Sequence, residues 1–302
     1  MRTPLRLRFP ADFHFEHTVY SHGWCALFPF CLDREGGALT RTVVDDRGGR
    51  GLLRVTLPSQ RHPHVDIDTH GRPSTARLAR FTAAARAMLH LDLDLRPLYD
   101  RIRGDAEFSW IAEMRTGRML RGETFFEDVV KMILTTNCAW SLTEIMNANL
   151  VARFGDGEDI ARQGFPSPDA IADSSEAFLR REVRLGYRAP YVLDLARRVA
   201  SGGLDIESFR TATAPAKELH QALRGIKGVG DYAAGNLLKL LGRYDYLGLD
   251  SWCRAKFAEL HHGGVAVDDR TIARKYEPYG EWKGLVMWLD VTRRWYADKF
   301  PF

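Results

Sequence analysis

The stretch LRGIKGVGDYAAGNLLKLLGRYDYLGLDSWCRAKF, residues 223–257, decides how the chain is read. Its centre, Gly225-Ile226-Lys227-Gly228-Val229-Gly230, separates two helical patterns. Glycines at 228 and 230 permit a left-handed backbone and put no side chain between the turn and a partner. The second pattern begins near Asp231, so the amides around Gly228–Gly230 point outward from a helix start, a ready site for a phosphate group. Lys227 adds positive charge beside them. The plainer alternative is a Gly-rich turn between two packed helices, since Gly-x-Gly alone is weak evidence. What argues for more is the ordered set: an apolar residue, Gly-Val-Gly, two positions, then Ala-Ala on the next helix. Farther on, Leu247-Gly248-Leu249-Asp250-Ser251-Trp252 sets an acid in front of the helical run SWCRAKFAEL. Aspartate is a good N-cap, so Asp250 has a structural reading whatever else it does.

Helical spacing extends outward from this stretch. TFFEDVVKMILTTN, SLTEIMNANLVARFGD, YVLDLARRVASGG, AKELHQALRG and DYAAGNLLKLLGR carry apolar residues three and four apart, between short Gly/Pro/Asp breaks. ARLARFTAAARAMLHLDLDL, 76–95, opens this helical part. Before it the chain reads as strands. FHFEHTVY, 13–20, would place Phe13, Phe15, His17 and Val19 on one face, and LLRVTL, 52–57, is β-rich behind the turn signal DDRGGRG. The expectation is an α+β protein: a small antiparallel sheet domain over residues 1–95, then a mostly helical domain over 96–302 with its hairpin near 217–242. No internal repeat or low-complexity tract is present.

The chain has 302 residues, 45% hydrophobic and 27% charged, the composition of an ordinary globular protein. No stretch approaches the roughly 18 apolar residues of a membrane span. The opening MRTPLRLRFPADF has no continuous apolar core, so no secretory signal is expected there. Cys25, Cys31, Cys138 and Cys253 are sparse and lack close pairs, which favours reduced thiols and a cytoplasmic setting, nucleoid-associated in a bacterium. The net charge of +4 permits a polyanionic partner without requiring one. In His62-Pro63-His64-Val65-Asp66-Ile67-Asp68 the polar residues 64, 66 and 68 alternate with apolar 65 and 67, which is the solvated face of a half-buried strand rather than a metal site.

The hairpin with Asp250 behind it resembles the helix-hairpin-helix DNA glycosylase superfamily, in its 3-methyladenine and 8-oxoguanine branch. There a Gly-rich hairpin grips one DNA strand by its backbone, and an aspartate at about this distance is essential; Asp250 matches it. The resemblance covers most of the chain. GRMLRGETFFEDVVKMILTTN, 117–137, is similar to the helix leading to a residue that probes the duplex, which falls at Asn137. LGYRAPYVLDLAR, 185–197, resembles a segment of the 8-oxoguanine glycosylases whose Tyr-Arg pair fills the gap left by the extruded base; Tyr187 and Arg188 match that pair. YGEWKGLVMWL, 279–289, is similar to the C-terminal helix of the family, and the N-terminal sheet to its extra domain. The four cysteines lack the cluster that holds iron–sulfur in the endonuclease III branch, so neither metal nor cofactor is expected. In FLRREVRLGYR, 178–188, Arg184 and Arg188 are expected to share a DNA-facing side.

The resemblance implies base flipping: Gly228, Val229, Gly230 and Lys227 as the anchor, Tyr187 as the wedge, and a pocket of aromatic rings. Cleaving the N-glycosidic bond builds positive charge on the sugar, which a fixed carboxylate such as Asp250 stabilises while accepting a proton from water. Lyase-type members carry a lysine two positions past the last hairpin glycine. Here that position is Tyr232, which cannot form an imine. An aromatic residue there resembles the alkylpurine glycosylases, whose rings suit a cationic base. Trp24, Trp140 and Trp252 fall in segments the resemblance brings near the pocket, with core packing the rival reading for each. The expected function is therefore a monomeric, monofunctional glycosylase acting on a damaged, alkylated purine in double-stranded DNA. An 8-oxoguanine-type enzyme and a non-catalytic helix-hairpin-helix DNA-binding module are the alternatives.

Overall fold

Strands come first, because β-branched and alternating residues cluster in the first third of the chain. In the computed structural model, which describes residues 1–45, 48–56, 63–154 and 159–297, they form one antiparallel sheet. Its strands are β1 (Arg2–Pro4), β2 (Cys31–Asp33), β3 (Ala38–Val44), β4 (Arg50–Thr56) and β5 (His64–Thr69), in the order β1-β5-β4-β3-β2. Register follows the pleat: Leu53 sits opposite Arg41 on β3 and Ile67 on β5. On β5, Val65, Ile67 and Thr69 turn inward, while His64 and Asp68 face solvent. Asp66 pairs with Arg2 at 2.7 Å and Asp68 with the terminal amine at 2.9 Å, so this polar face is solvated and ion-paired; His62 lies outside the described residues.

The described residues group into two compact units, one within residues 1–92 and 119–208, the other within residues 93–118 and 209–297. In the first, the helix Thr75–Met88, capped by Ser74, lays Phe81, Ala84, Ala85 and Met88 on the sheet. Gly51 on β4 leaves room there: a Cβ would stand 2.7 Å from Ile67 Cδ1 and 3.0 Å from Phe81 Cζ. Arg41 also points inward and is 1% exposed. Glu127 of the helix Phe125–Leu134 meets its guanidinium at 3.1–3.2 Å and receives Lys131 at 2.8 Å. Phe30 presents its ring 4.9 Å from each cation. Buried charges survive only when paired this completely, so the network joins helix to sheet in one register. Burial pushes the Glu127 carboxyl up, but Arg41 and Lys131 outweigh it and hold the group below its usual range.

One expected strand is a helix. Residues 15–19 of FHFEHTVY coil because His14 caps the turn, its Nδ1 accepting from His17 N at 3.3 Å. Phe15, Thr18 and Val19 are then buried together, a helical face rather than an alternating one. In the following segment SHGWCALFPF, residues 21–30, Gly23–Ala26 forms a single 3-10 turn.

The second unit is helical. Ala216–Arg224, Asp231–Leu240, Ser251–His261, Asp269–Tyr276 and Lys283–Val291 are its longer helices. Leu219, Leu223, Leu237, Leu238, Phe257 and Leu285 are among its buried residues. Gly284 sits where a Cβ would lie 2.0 Å from Tyr246 O, and its N–H donates to Tyr244 O at 2.7 Å. That contact seats the chain between the second and third of these helices. Among the described residues no helix is long and apolar enough to cross a membrane.

Candidate active site

In the second unit the hairpin is formed as the spacing predicts. Ala216–Arg224 ends at Gly225, Ile226 and Val229 turn inward, and Lys227 stays exposed. Val229 N–H donates to Ile226 O at 3.0 Å, closing the turn. Gly228 takes φ +86, which a side chain would strain. Gly230 is the N-cap of Asp231–Leu240, and no side chain caps that first turn. A helix start carries partial positive charge, so this exposed turn can receive an anion.

Asp250 is the N-cap of Ser251–His261, its Oδ1 accepting from Cys253 N–H at 2.7 Å. The cap reading of Asp250 thus holds, and the cap uses one oxygen of a half-buried carboxylate. Burial, then the Asp250 charge, pushes the Cys253 thiol up to about 12, so it stays protonated and brings no second anion to the site. Trp252 is 40% exposed on the first turn of the same helix. Its ring centroid lies 6.2 Å from that of Trp288 and 5.7 Å from that of Trp295, and those two are 5.7 Å apart. Trp288 and Trp295 were not among the expected residues. Their signal was a spacing of seven, two helical turns, across the break after Val291. Tyr232 is half-buried on the first turn after the hairpin.

In the first unit the turn after Phe125–Leu134 carries Asn137, exposed and at φ +48. Tyr187, 43% exposed, donates from its hydroxyl to Thr136 O at 3.0 Å, which puts Asn137 and Tyr187 on one surface. Arg188 does not join them. It is 4% exposed, donates to Thr136 O, and stacks its guanidinium 4.5 Å from the Tyr187 ring centroid. Nor does it share a face with Arg184, which is exposed at φ +64. The helix Glu176–Arg181 has already ended, and Gly186 at φ +56 turns the chain before Arg188. Arg188 is therefore the brace beneath the Asn137 turn. Trp24 is 3% exposed and donates to Asp128 Oδ1 at 2.8 Å, so it belongs to the interior. Trp140 is half-buried and lies over Gly23, where a Cβ would stand 2.2 Å from the indole.

Among the described residues Glu107, His261 and Asp290 bring metal-ligand atoms within 4.8 Å of one another. Lys275 already holds Glu107 at 2.6 Å, and the Tyr276 hydroxyl donates to Asp290 at 2.5 Å. The group is a satisfied hydrogen-bond network of the second unit.

No protein-family model matches the chain. Its structure is similar to that of a 3-methyladenine DNA glycosylase from Archaeoglobus fulgidus, with TM-score 0.71, 20% identity, and 98% of this chain and 99% of that one covered. It is similar to MBOgg1 in complex with a low-affinity DNA ligand, with TM-score 0.72, 21% identity, and 99% and 100% covered. It is also similar to an 8-oxoguanine glycosylase/lyase from Clostridium acetobutylicum in complex with double-stranded DNA, with TM-score 0.69, 16% identity, and 97% and 98% covered. These likenesses run over nearly the whole chain, and the fold is that of the helix-hairpin-helix DNA glycosylases.

Proposed function

We propose that this chain, with that fold as premise, is a monofunctional DNA glycosylase of base excision repair acting on damaged, alkylated purines. The observation that carries the reading is Asp250, a half-exposed carboxylate locked on a helix start behind an uncapped glycine hairpin. A pure binder gains nothing from a fixed anion so close to a phosphate anchor.

The hairpin amides and Lys227 hold one strand by its phosphates, without reading sequence. On the first unit Tyr187 and Asn137 are the DNA-contacting pair that the resemblance implied, and Arg188 keeps their turn rigid. The flipped purine stacks against the rings of Trp252, Trp288 and Trp295, with Tyr232 at its edge. A purine alkylated on a ring nitrogen is cationic, so aromatic faces favour it and it leaves as a neutral base. As the glycosidic bond breaks, both its electrons go to the base and the sugar becomes cationic. Asp250 stabilises that charge and accepts the proton of the attacking water, whose oxygen bonds to the sugar carbon.

The test is a panel of duplex oligonucleotides, each with one lesion, scored for free-base release. Alkylated purines are expected to be released fastest, and 8-oxoguanine slowest if at all. On the best substrate Asp250→Asn should keep DNA affinity and lose about 100-fold or more in single-turnover rate. Equal rates for Asp250→Asn and wild type would reduce Asp250 to a helix cap.

A further inference from the structure

We infer that Lys239 is a positioning residue for Asp250: its buried ammonium clamps the chain at Leu247–Gly248 and presents the carboxylate from behind. The inference rests on the glycosylase reading for its kinetic consequence, but not for its geometry.

Lys239 is 1% exposed, on the last turn of Asp231–Leu240. Its Nζ donates to Leu247 O at 2.5 Å and to Asn236 Oδ1 at 3.2 Å. Asn236 in turn donates from Nδ2 to Gly248 O at 3.2 Å and to Tyr232 O at 2.9 Å. Gly235 completes the seat: a Cβ there would stand 2.8 Å from Gly248 Cα, so backbone lies on backbone. Positions 235, 236 and 239 form one face of the helix. Gly248, at φ +63, bends the chain over that face two residues before Asp250. The carboxylate is thus held from both sides, by Lys239 and Asn236 before it and by Cys253 N–H after it.

Charge is the second part of the argument. The oxygens that accept from Nζ are neutral, and a buried cation without a bonded anion costs more than a methionine of the same shape. The ionisable groups that act on it are Asp250 and Cys253, and the thiol is neutral. Burial lowers the Lys239 ammonium to about 8, so it is charged at neutral pH and its field falls on Asp250.

Lys239→Met tests this, because it keeps the packing and removes the charge and its donors. Single-turnover base release should fall roughly 10- to 100-fold, since small misplacements of a reacting group cost this much. Affinity for a duplex with a stable abasic analogue should stay within about threefold of wild type, because the anchor is untouched. Wild-type rates should decline as pH rises through about 8, and the variant should lose that limb. Independently of activity, hydrogen exchange at the Cys253 amide, whose N–H donates to Asp250 Oδ1, should be faster in Lys239→Met as the carboxylate loses its seat. Asn236→Ala, which opens only one arm of the clamp, should move rate and exchange the same way by less, and serves if the first variant does not fold. Unmoved exchange at Cys253 in either variant overturns the inference, as does a rate loss matched by lost affinity. A wild type that releases no base from any lesion overturns the glycosylase reading alone, and the exchange still decides Lys239.

Discussion

His22 is held neutral inside the first unit, 9% exposed, with Nε2 2.6 Å from Leu120 O. Burial, with the Lys131 charge nearby, lowers it from 6.5 to about 4 against the opposing pull of the carbonyl. In the unfolded chain the ring protonates near its ordinary value, so between these two points the unfolded state binds more protons. Stability from His22 is fully present above pH 6.5 and is lost as pH falls toward 4, a total of about 3 kcal/mol. His22→Gln keeps a donor for Leu120 O without a titrating ring. Its melting temperature should fall less than that of wild type between pH 7.5 and pH 5, and parallel losses would place the acid-sensitive group elsewhere. The same residue scale separates the tryptophans. Trp24 sends its N–H to Asp128 in the interior, whereas Trp252 stands 40% exposed beside two further indoles.

At the scale of elements, the hairpin uses its two glycines for different reasons. Gly228 needs its left-handed φ of +86 for the turn itself. Gly230 has an ordinary φ of −84, and a Cβ there would meet nothing within 4 Å. Folding therefore does not demand glycine at 230; under the proposed function, a phosphate approaching the helix start would. Gly230→Ala should change stability by no more than about 1 kcal/mol, the usual range for an N-cap exchange. Its affinity for undamaged duplex should drop about tenfold or more, as should that of Lys227→Glu, whose salt dependence should also flatten. Melting curves with fluorescence anisotropy at two salt concentrations measure both. Binding at the wild-type level in Gly230→Ala would take the hairpin off the DNA.

For the molecule as a whole, the proposed monofunctional chemistry is tested at its amines. An imine needs an unprotonated amine within bonding reach of the sugar carbon. Among the described residues Lys131 is buried on Glu127, Lys239 on Leu247 O, and Lys256, Lys275 and Lys283 each meet a glutamate, while Lys217 and Lys227 are exposed on the first hairpin helix and its turn. The position after the hairpin is Tyr232. Borohydride added during turnover should trap no protein–DNA adduct, and strands should break only after alkali; an adduct lost in Lys227→Ala would change the proposed activity to that of a lyase. The elements around this chemistry were legible from short stretches of sequence. Helical spacing, the glycine turn and the Asp250 cap are properties of a few consecutive residues, and each formed where its pattern lies. FHFEHTVY misled because five residues fit either period, and the His14 cap with a buried Phe15–Val19 face chose the helix. The grouping of residues 119–208 with the sheet carries no local signal, because it depends on which apolar faces meet. For the same reason Tyr187 and Arg188, adjacent in sequence, part company: one stays exposed and the other braces Thr136 from inside. Lys239 was silent, and the spacing of Trp288 and Trp295 could not say that they meet Trp252, since burial and ring contact are set by neighbours distant in the chain. Local pattern chooses the backbone of each element, while burial and polar pairing, which depend on the packed whole, choose what each side chain does.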